Sequence, residues 1–243
     1  MRCPLLLGAA LLAVAIVAAC GGDGDSEVES SLEQALRQMV LHTEDLPQGF
    51  VQRDESFTTN ENQASLSADP EARKDQLESW GRLLGYEVTY QRTGAAPEGS
   101  ADGVAPVQGI NVSSSLYRTE EGAVEAFAVD VVKGAEERDW AADYAGLRGF
   151  QQEEIDASGL ADEIVWLRVS GFQPVDSGPD PLVTDDLIFF RVGRERGFLR
   201  VQTSSAENED RQRIRPTVEQ WLRALIENVE EVLAEPGFEV EEE

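Results

Sequence analysis

The sequence predicts an α+β fold: a single domain in which a curved, mainly antiparallel sheet is packed by about four helices. Three observations carry this. Segments that alternate apolar and polar residues recur along the chain, most clearly in Gly85–Arg92, where Tyr86, Val88 and Tyr90 share one face. In the second half such segments are joined by hairpin-length connections, which favour antiparallel pairing. Apolar stripes of helical period separate and follow them, and the last is unbroken: Val218, Trp221, Leu222, Leu225, Ile226, Val229, Val232 and Leu233.

The elements follow in order. Leu32, Ala35, Leu36, Met39 and Val40 recur with helical period, and Ser30 with Glu33 has capping-box spacing, so a first helix spans about 30–42. His42 falls at its end, where an imidazole can cap the last carbonyls. Pro47 and Gly49 break the helix, and Val51–Thr58 reads as a strand. Asn60–Ala68 is polar and reads as a loop. Asp69 and Pro70 open a second helix, as cap and first-turn proline, with Leu77, Trp80 and Leu84 as its stripe.

Gly85–Arg92 is the second strand, 93–106 a Gly-, Ala- and Pro-rich loop, and Val107–Arg118 the third strand. Thr119 caps a helix that turns Val124, Phe127, Ala128 and Val131 inward and continues raggedly towards Tyr144. Phe150–Ile155 and Asp162–Phe172 are strands. Asp185–Ser205 reads as two strands hinged near Gly193–Gly197. In the first of these, Leu187 and Phe189 oppose Ile188, Phe190 and Val192, so it is apolar on both faces and belongs at the centre of its sheet. A strand pair followed by a helix occurs twice, at 85–134 and near 185–234. Residues 235–243 form an acidic tail.

The N-terminus carries the most specific signal. Arg2 precedes an apolar run from Leu5 to Ala19, shorter than the about 20 residues that a spanning helix needs. A charged start, a short apolar stretch and small residues at its end describe an export signal. Val17-Ala18-Ala19-Cys20 then resembles the lipobox of bacterial lipoproteins. The resemblance implies that residues 1–19 are a signal peptide removed before Cys20, and that the Cys20 thiol takes a diacylglycerol, often joined by an N-terminal acyl chain such as palmitate. Two or more chains anchor stably where one does not. Residues 20–30 are then the lipidated cysteine and a flexible tether, and 31–234 the α+β domain. The expected location is extracytoplasmic, lipid-anchored to the cell membrane or the outer membrane.

Composition excludes several functions. With 20 basic and 47 acidic residues, the formal net charge of −27 repels nucleic acid and anionic head groups. Cys3 and Cys20 are the only cysteines; one leaves with the signal and lipid consumes the other. The mature body therefore has no thiolate nucleophile, disulfide or cysteine-based zinc site. His42 is the only histidine, too few for a histidine zinc site, and it has no paired nucleophile for a triad. Ser113, Ser114 and Ser115 lack a nucleophile elbow. No P-loop or dinucleotide fingerprint occurs, and no cofactor is expected.

The remaining candidates are binding residues. Tyr86, Tyr90, Tyr117, Trp166 and Phe189 fall on predicted strands and could line an apolar ligand pocket with Arg191, or pack as core. Asp176, Asp180, Asp185 and Asp186 could gather around calcium, although the spacing is not that of an EF-hand. Arg191, Arg194, Arg196 and Arg200, continued by Arg211, Arg213 and Arg215, either hold an anionic partner or pair with surplus carboxylates. Glu153-Glu154, Asp162-Glu163 and Asp185-Asp186 could supply the acid and base of a hydrolase, but chance pairs are expected among 47 acids.

The element order, with "EDLPQGF" (Glu44–Phe50) after an amphipathic helix, resembles small exported bacterial lipoproteins, extracellular sensor domains of mycobacterial serine/threonine kinases, and the PsbP/Mog1-like α+β fold. The cysteines of those kinase domains have no counterpart here. The resemblance implies ligand sensing or envelope scaffolding; with the lipobox-like segment and the lack of a catalytic constellation, the expectation is a non-enzymatic binding or sensing domain, tethered to the membrane, with a small ligand or an envelope protein as partner. An envelope scaffold or assembly factor is the alternative, and a carboxylate-dependent hydrolase a further one.

Overall fold

The computed structural model describes residues 24–93, 107–205 and 214–235, with side chains from Ser31 onward. The segment expected as signal peptide (1–19), Cys20, all but the first residue of the expected 93–106 loop and most of the expected acidic tail lie outside the described residues.

Seven strands form one open sheet: β1 (Phe50–Thr58), β2 (Arg82–Arg92), β3 (Val107–Tyr117), β4 (Arg148–Glu154), β5 (Glu163–Phe172), β6 (Leu182–Val192) and β7 (Glu195–Ser205). Their order is β1-β2-β3-β7-β6-β5-β4, and every neighbouring pair is antiparallel. Two consecutive meanders, β1–β3 and β4–β7, are thus joined edge to edge where β3 meets β7. The helices are α1 (Gly24–Gln38), α2 (Asn60–Ala64), α3 (Pro70–Ser79), α4 (Glu120–Phe127), α5 (Gly134–Glu137), α6 (Trp140–Asp143) and α7 (Arg215–Leu233). A π-helical segment, Ala128–Lys133, connects α4 to α5. This is the expected α+β architecture. None of the described helices is long and apolar enough to cross a membrane.

Strand alternation sorts side chains onto two faces, and helices cover both. On one face Tyr86, Val88, Val112, Leu199, Ile188 and Trp166 are buried together with Leu36 and Met39 of the first-helix segment and with Leu222, Leu225 and Ile226 of α7. On the other face Leu77 and Trp80 meet Tyr117, Ala123 and Ala126, and Trp140 meets Leu167, Val169 and Leu187. β6 is buried almost throughout, as its two-sided apolar pattern predicts.

Several boundaries differ from expectation for identifiable reasons. α1 starts at Gly24, inside the segment expected as tether, and ends at Gln38. His42 does not close that helix. It heads a separate 3-10 turn, Thr43–Asp45, its backbone N–H donating to Asp45 Oδ2 at 2.7 Å. The polar stretch after β1 holds one helical turn, α2, because Thr59 Oγ1 accepts from the Asn62 N–H at 3.2 Å. α3 begins as Asp69 and Pro70 predict, but Gly81, at φ +68, turns the chain into β2, so Leu84 belongs to the sheet. In α4 the inward residues are Ala123, Ala126 and Phe127, while Val124 and Ala128 are exposed. The cause is close approach: a Cβ at Gly122 would lie 1.9 Å from the Trp80 carbonyl oxygen, so the small-residue face must turn inward.

Candidate functional site

A cleft of about 340 Å³ opens beside β5, between the end of β4 and the loop 155–162. Its construction is local. As the chain leaves β4, the Ile155 N–H donates to the Trp166 carbonyl at 2.9 Å. Asp156 Oδ1 then accepts from the Ser158 N–H at 3.1 Å and from Ser158 Oγ at 2.8 Å, a side-chain turn of the kind aspartate favours. Gly159, at φ +84, completes the reversal. The loop is fastened again at its far end, where the Asp162 N–H donates to the Arg191 carbonyl at 3.1 Å and Asp162 Oδ2 accepts from the Gly193 N–H at 2.7 Å.

Trp166 forms the floor. Its indole Nε1 donates to Asp186 Oδ1 at 2.7 Å, and Arg168 grips the same carboxylate in bidentate fashion at 2.8 and 3.0 Å, all three residues being buried. A buried carboxylate is tolerable only when it is paired in this way. From α7, Arg215 reaches the Asp156 carbonyl at 3.2 Å, its guanidinium carbon 6.0 Å from the Trp166 ring centre. Ile155, Ala157, Ala161 and Ile164 give apolar walls, and Glu154, Asp156 and Asp162 an acidic rim. The bonds from Ser158 hold the Asp156 carboxyl below its usual range, which suits an acceptor of hydrogen bonds and disfavours a proton donor. Ser158 has no histidine beside it: His42 belongs to the turn before β1. The cleft thus presents apolar walls, an indole floor and an acidic rim.

Of the six residues expected to line a ligand pocket, Trp166 alone lines this cleft. All five aromatic candidates lie on strands, but on two faces. Tyr86 and Tyr90 are core residues of the α1–α7 face, their hydroxyls donating to Glu55 Oε2 at 2.5 Å and to the Leu41 carbonyl at 2.6 Å. Tyr117 and Phe189 lie on the opposite face, Phe189 against Phe198 at 4.8 Å between ring centres. Arg191 is committed internally, to Glu163 at 2.5 Å, to Asp162 and Glu120 at 3.3 Å each, and to the Gly193 carbonyl at 2.7 Å.

The four aspartates do not converge, which corrects the calcium expectation. Asp185 and Asp186 are adjacent on a strand and so project to opposite faces. Asp185 accepts from Tyr144 Oη at 2.9 Å and from Arg200 Nη2 at 2.8 Å, whereas Asp186 serves Trp166 and Arg168. Asp180 pairs with Arg148 at 3.2 Å in the exposed loop that also holds Asp176. Among the described residues no three His, Cys, Asp or Glu side chains are placed to hold a metal. The same strand geometry separates Glu153 from Glu154. The arginines of β6 and β7 pair internally: Arg191 as above, Arg196 with Asp130 and Arg200 with Asp185. Arg215 pairs with Glu219, while Arg211 and Arg213 lie outside the described residues.

Two features went unnoticed in the sequence. Glu195 is completely buried on the α1–α7 face, its oxygens without hydrogen-bond partners. Burial pushes its carboxyl up to about 8, while the nearby Ser114 hydroxyl and the Arg196 charge pull the other way. The alternation Glu195, Gly197, Leu199, Val201 was the available signal, because it places an acid on an otherwise apolar face. The second feature is a group of arginines around Asp130, which accepts from both Arg73 and Arg196.

Fold and cleft together define an α+β domain with a cleft beside β5 that Trp166 lines. No family model and no curated protein matches the chain. Among solved structures it is similar to the crystal structure of the extracellular domain of PknH from Mycobacterium tuberculosis, at 11% identity and a TM-score of 0.37, covering 84% of this chain and 97% of that one.

Proposed function

We propose that the protein is a lipid-anchored, extracytoplasmic binding domain. Cys20 carries the diacylglycerol, residues 1–19 are removed, and the acidic body holds a small ligand or an envelope protein without chemically altering it. The observation that carries this reading is Val17-Ala18-Ala19-Cys20, directly after an apolar run headed by Arg2 and too short to span a bilayer. The cleft over Trp166 supports the binding half: it combines apolar walls with a few fixed polar groups, the usual composition of a ligand site.

The test is the intact mass and membrane partition of the protein made in an exporting bacterial host. The mature chain should begin at Cys20, carry diacylglycerol mass and sediment with membranes, and Cys20→Ser should release it. A chain beginning elsewhere, or lacking added hydrocarbon, overturns the anchoring. An assembly role at the envelope is the second reading, favoured by the exposed valines Val124, Val129 and Val132 on the outer side of the α4–α5 segment.

A further inference from the structure

On the sheet face away from α1 and α7, three arginines gather around one carboxylate. Asp130 Oδ2 accepts from Arg73 Nη2 and from Arg196 Nη1, at 2.6 Å each. Arg82 completes the group from β2. It faces Tyr117 in the β2–β3 register, and Arg196 faces Ser115 in the β3–β7 register. Arg82 is 4% exposed, yet its bonds go to neutral groups: the Thr58 carbonyl and Asn60 Oδ1 at 3.0 Å each, and Ser115 Oγ at 3.5 Å. Its Nε has no acceptor, and neither has the hydroxyl of Tyr117, whose side chain is fully buried. The Arg196 guanidinium carbon stands 6.0 Å from the Tyr117 ring.

The space is built for the cation: a Cβ at Gly85 would come within 2.2 Å of Arg82 Nη2. Three guanidinium groups against one carboxylate leave a local positive excess inside a chain of net charge −27. Burial draws Arg82 down to about 10; Tyr117 and Asp130 work against this, and the like charges of Arg196 and Arg73 add to it. A buried cation without a carboxylate hydrogen-bonded to it is costly to the fold, as a broken buried pair is. With 47 acids in the sequence, a second carboxylate partner was available, but none is paired with Arg82 among the described residues. An added anion would supply the missing charge, and its oxygens would accept from Tyr117 Oη and Arg82 Nε. Access is from the rim, where Arg73, Arg196 and Asp130 keep 18, 16 and 19% of their side-chain exposure. Asp130 sits in the π-helical segment, a type of turn that recurs at functional sites.

We infer that Arg73, Arg82, Arg196 and Tyr117 form a binding site for a small free oxyanion of the phosphate type, with Asp130 as the internal counter-ion that the ligand displaces. This site is separate from the Trp166 cleft and does not depend on the anchoring.

Titration calorimetry of the detergent-solubilised full chain with sodium phosphate, against sodium chloride at equal ionic strength, tests it. Saturable phosphate binding is expected in the wild type. Asp130→Asn should tighten it by about tenfold, Arg196→Gln should weaken it by about tenfold or more, and Tyr117→Phe should weaken it about three- to tenfold. Circular dichroism checks that each variant is folded, and Tyr117→Phe decides the matter if Arg196→Gln is not. The absence of saturable binding in both the wild type and Asp130→Asn overturns the proposal. So does binding that folded variants leave unchanged, because the ion then sits elsewhere. Anionic phospholipid vesicles replace the free ion in a parallel arm; binding to vesicles alone overturns the assignment to a small free ligand.

Discussion

Glu195 shows what a single residue can impose on the whole domain. Its carboxyl is buried without a partner, so the neutral form is the one the core accepts. The folded value of about 8 lies above the ordinary 4.5. The resulting stabilisation is complete below the ordinary value and is lost as pH rises through about 8. Denaturant melts between pH 5 and pH 8.5 should therefore show stability falling by up to about 1.4 kcal/mol per pH unit, with Glu195→Gln removing most of the slope. A wild type as flat as the variant would place the carboxylate in contact with water. At this scale the sequence was only partly legible. Strand alternation carried the signal that separates Asp185 from Asp186 and puts Glu195 on an apolar face, but the calcium expectation grouped the two aspartates and Glu195 was passed over. Nothing in composition or spacing told which carboxylate each arginine would meet, because those partners come from other strands.

At the level of elements, local chemistry was read well where it acts alone. Asp69 and Pro70 opened α3, Thr119 capped α4 with Oγ1 at 3.1 Å from the Gly122 N–H, and the unbroken stripe became α7. The misreadings arose where a neighbour intervened. α4 turns its alanines rather than its valines inward because its backbone runs against the Trp80 carbonyl at Gly122. Gly122→Ala should accordingly destabilise the protein by about 2 kcal/mol or more, since a backbone carbonyl cannot rotate out of the way as a side chain can. Thermal unfolding measures it; an unchanged midpoint would mean that α4 can lift off α3 freely. The π-helical stretch after α4 likewise has no sequence signature here, being visible only through the positions it gives Asp130 and Val131.

For the molecule as a whole, charge and topology set the terms. A net charge of −27 makes the compact state repel itself. The internal arginine pairs ease this only locally, so raising sodium chloride from about 10 to about 300 mM should raise the melting temperature by screening the surplus. A falling midpoint would show that the ion pairs outweigh the repulsion. The overall class and the strand positions were legible because each meander is local in sequence. The cleft was not, since it needs the 155–162 loop, Trp166 and α7 in one place. The seam between β3 and β7 was equally hidden, as no local signal pairs those strands, and it bears on biogenesis. A chain emerging N-terminus first completes β1–β3 early, with one rim of backbone amides and carbonyls bare until the last strand arrives. Truncation before Glu195 removes the strand that pairs with both β3 and β6, and so leaves those two edges unpaired.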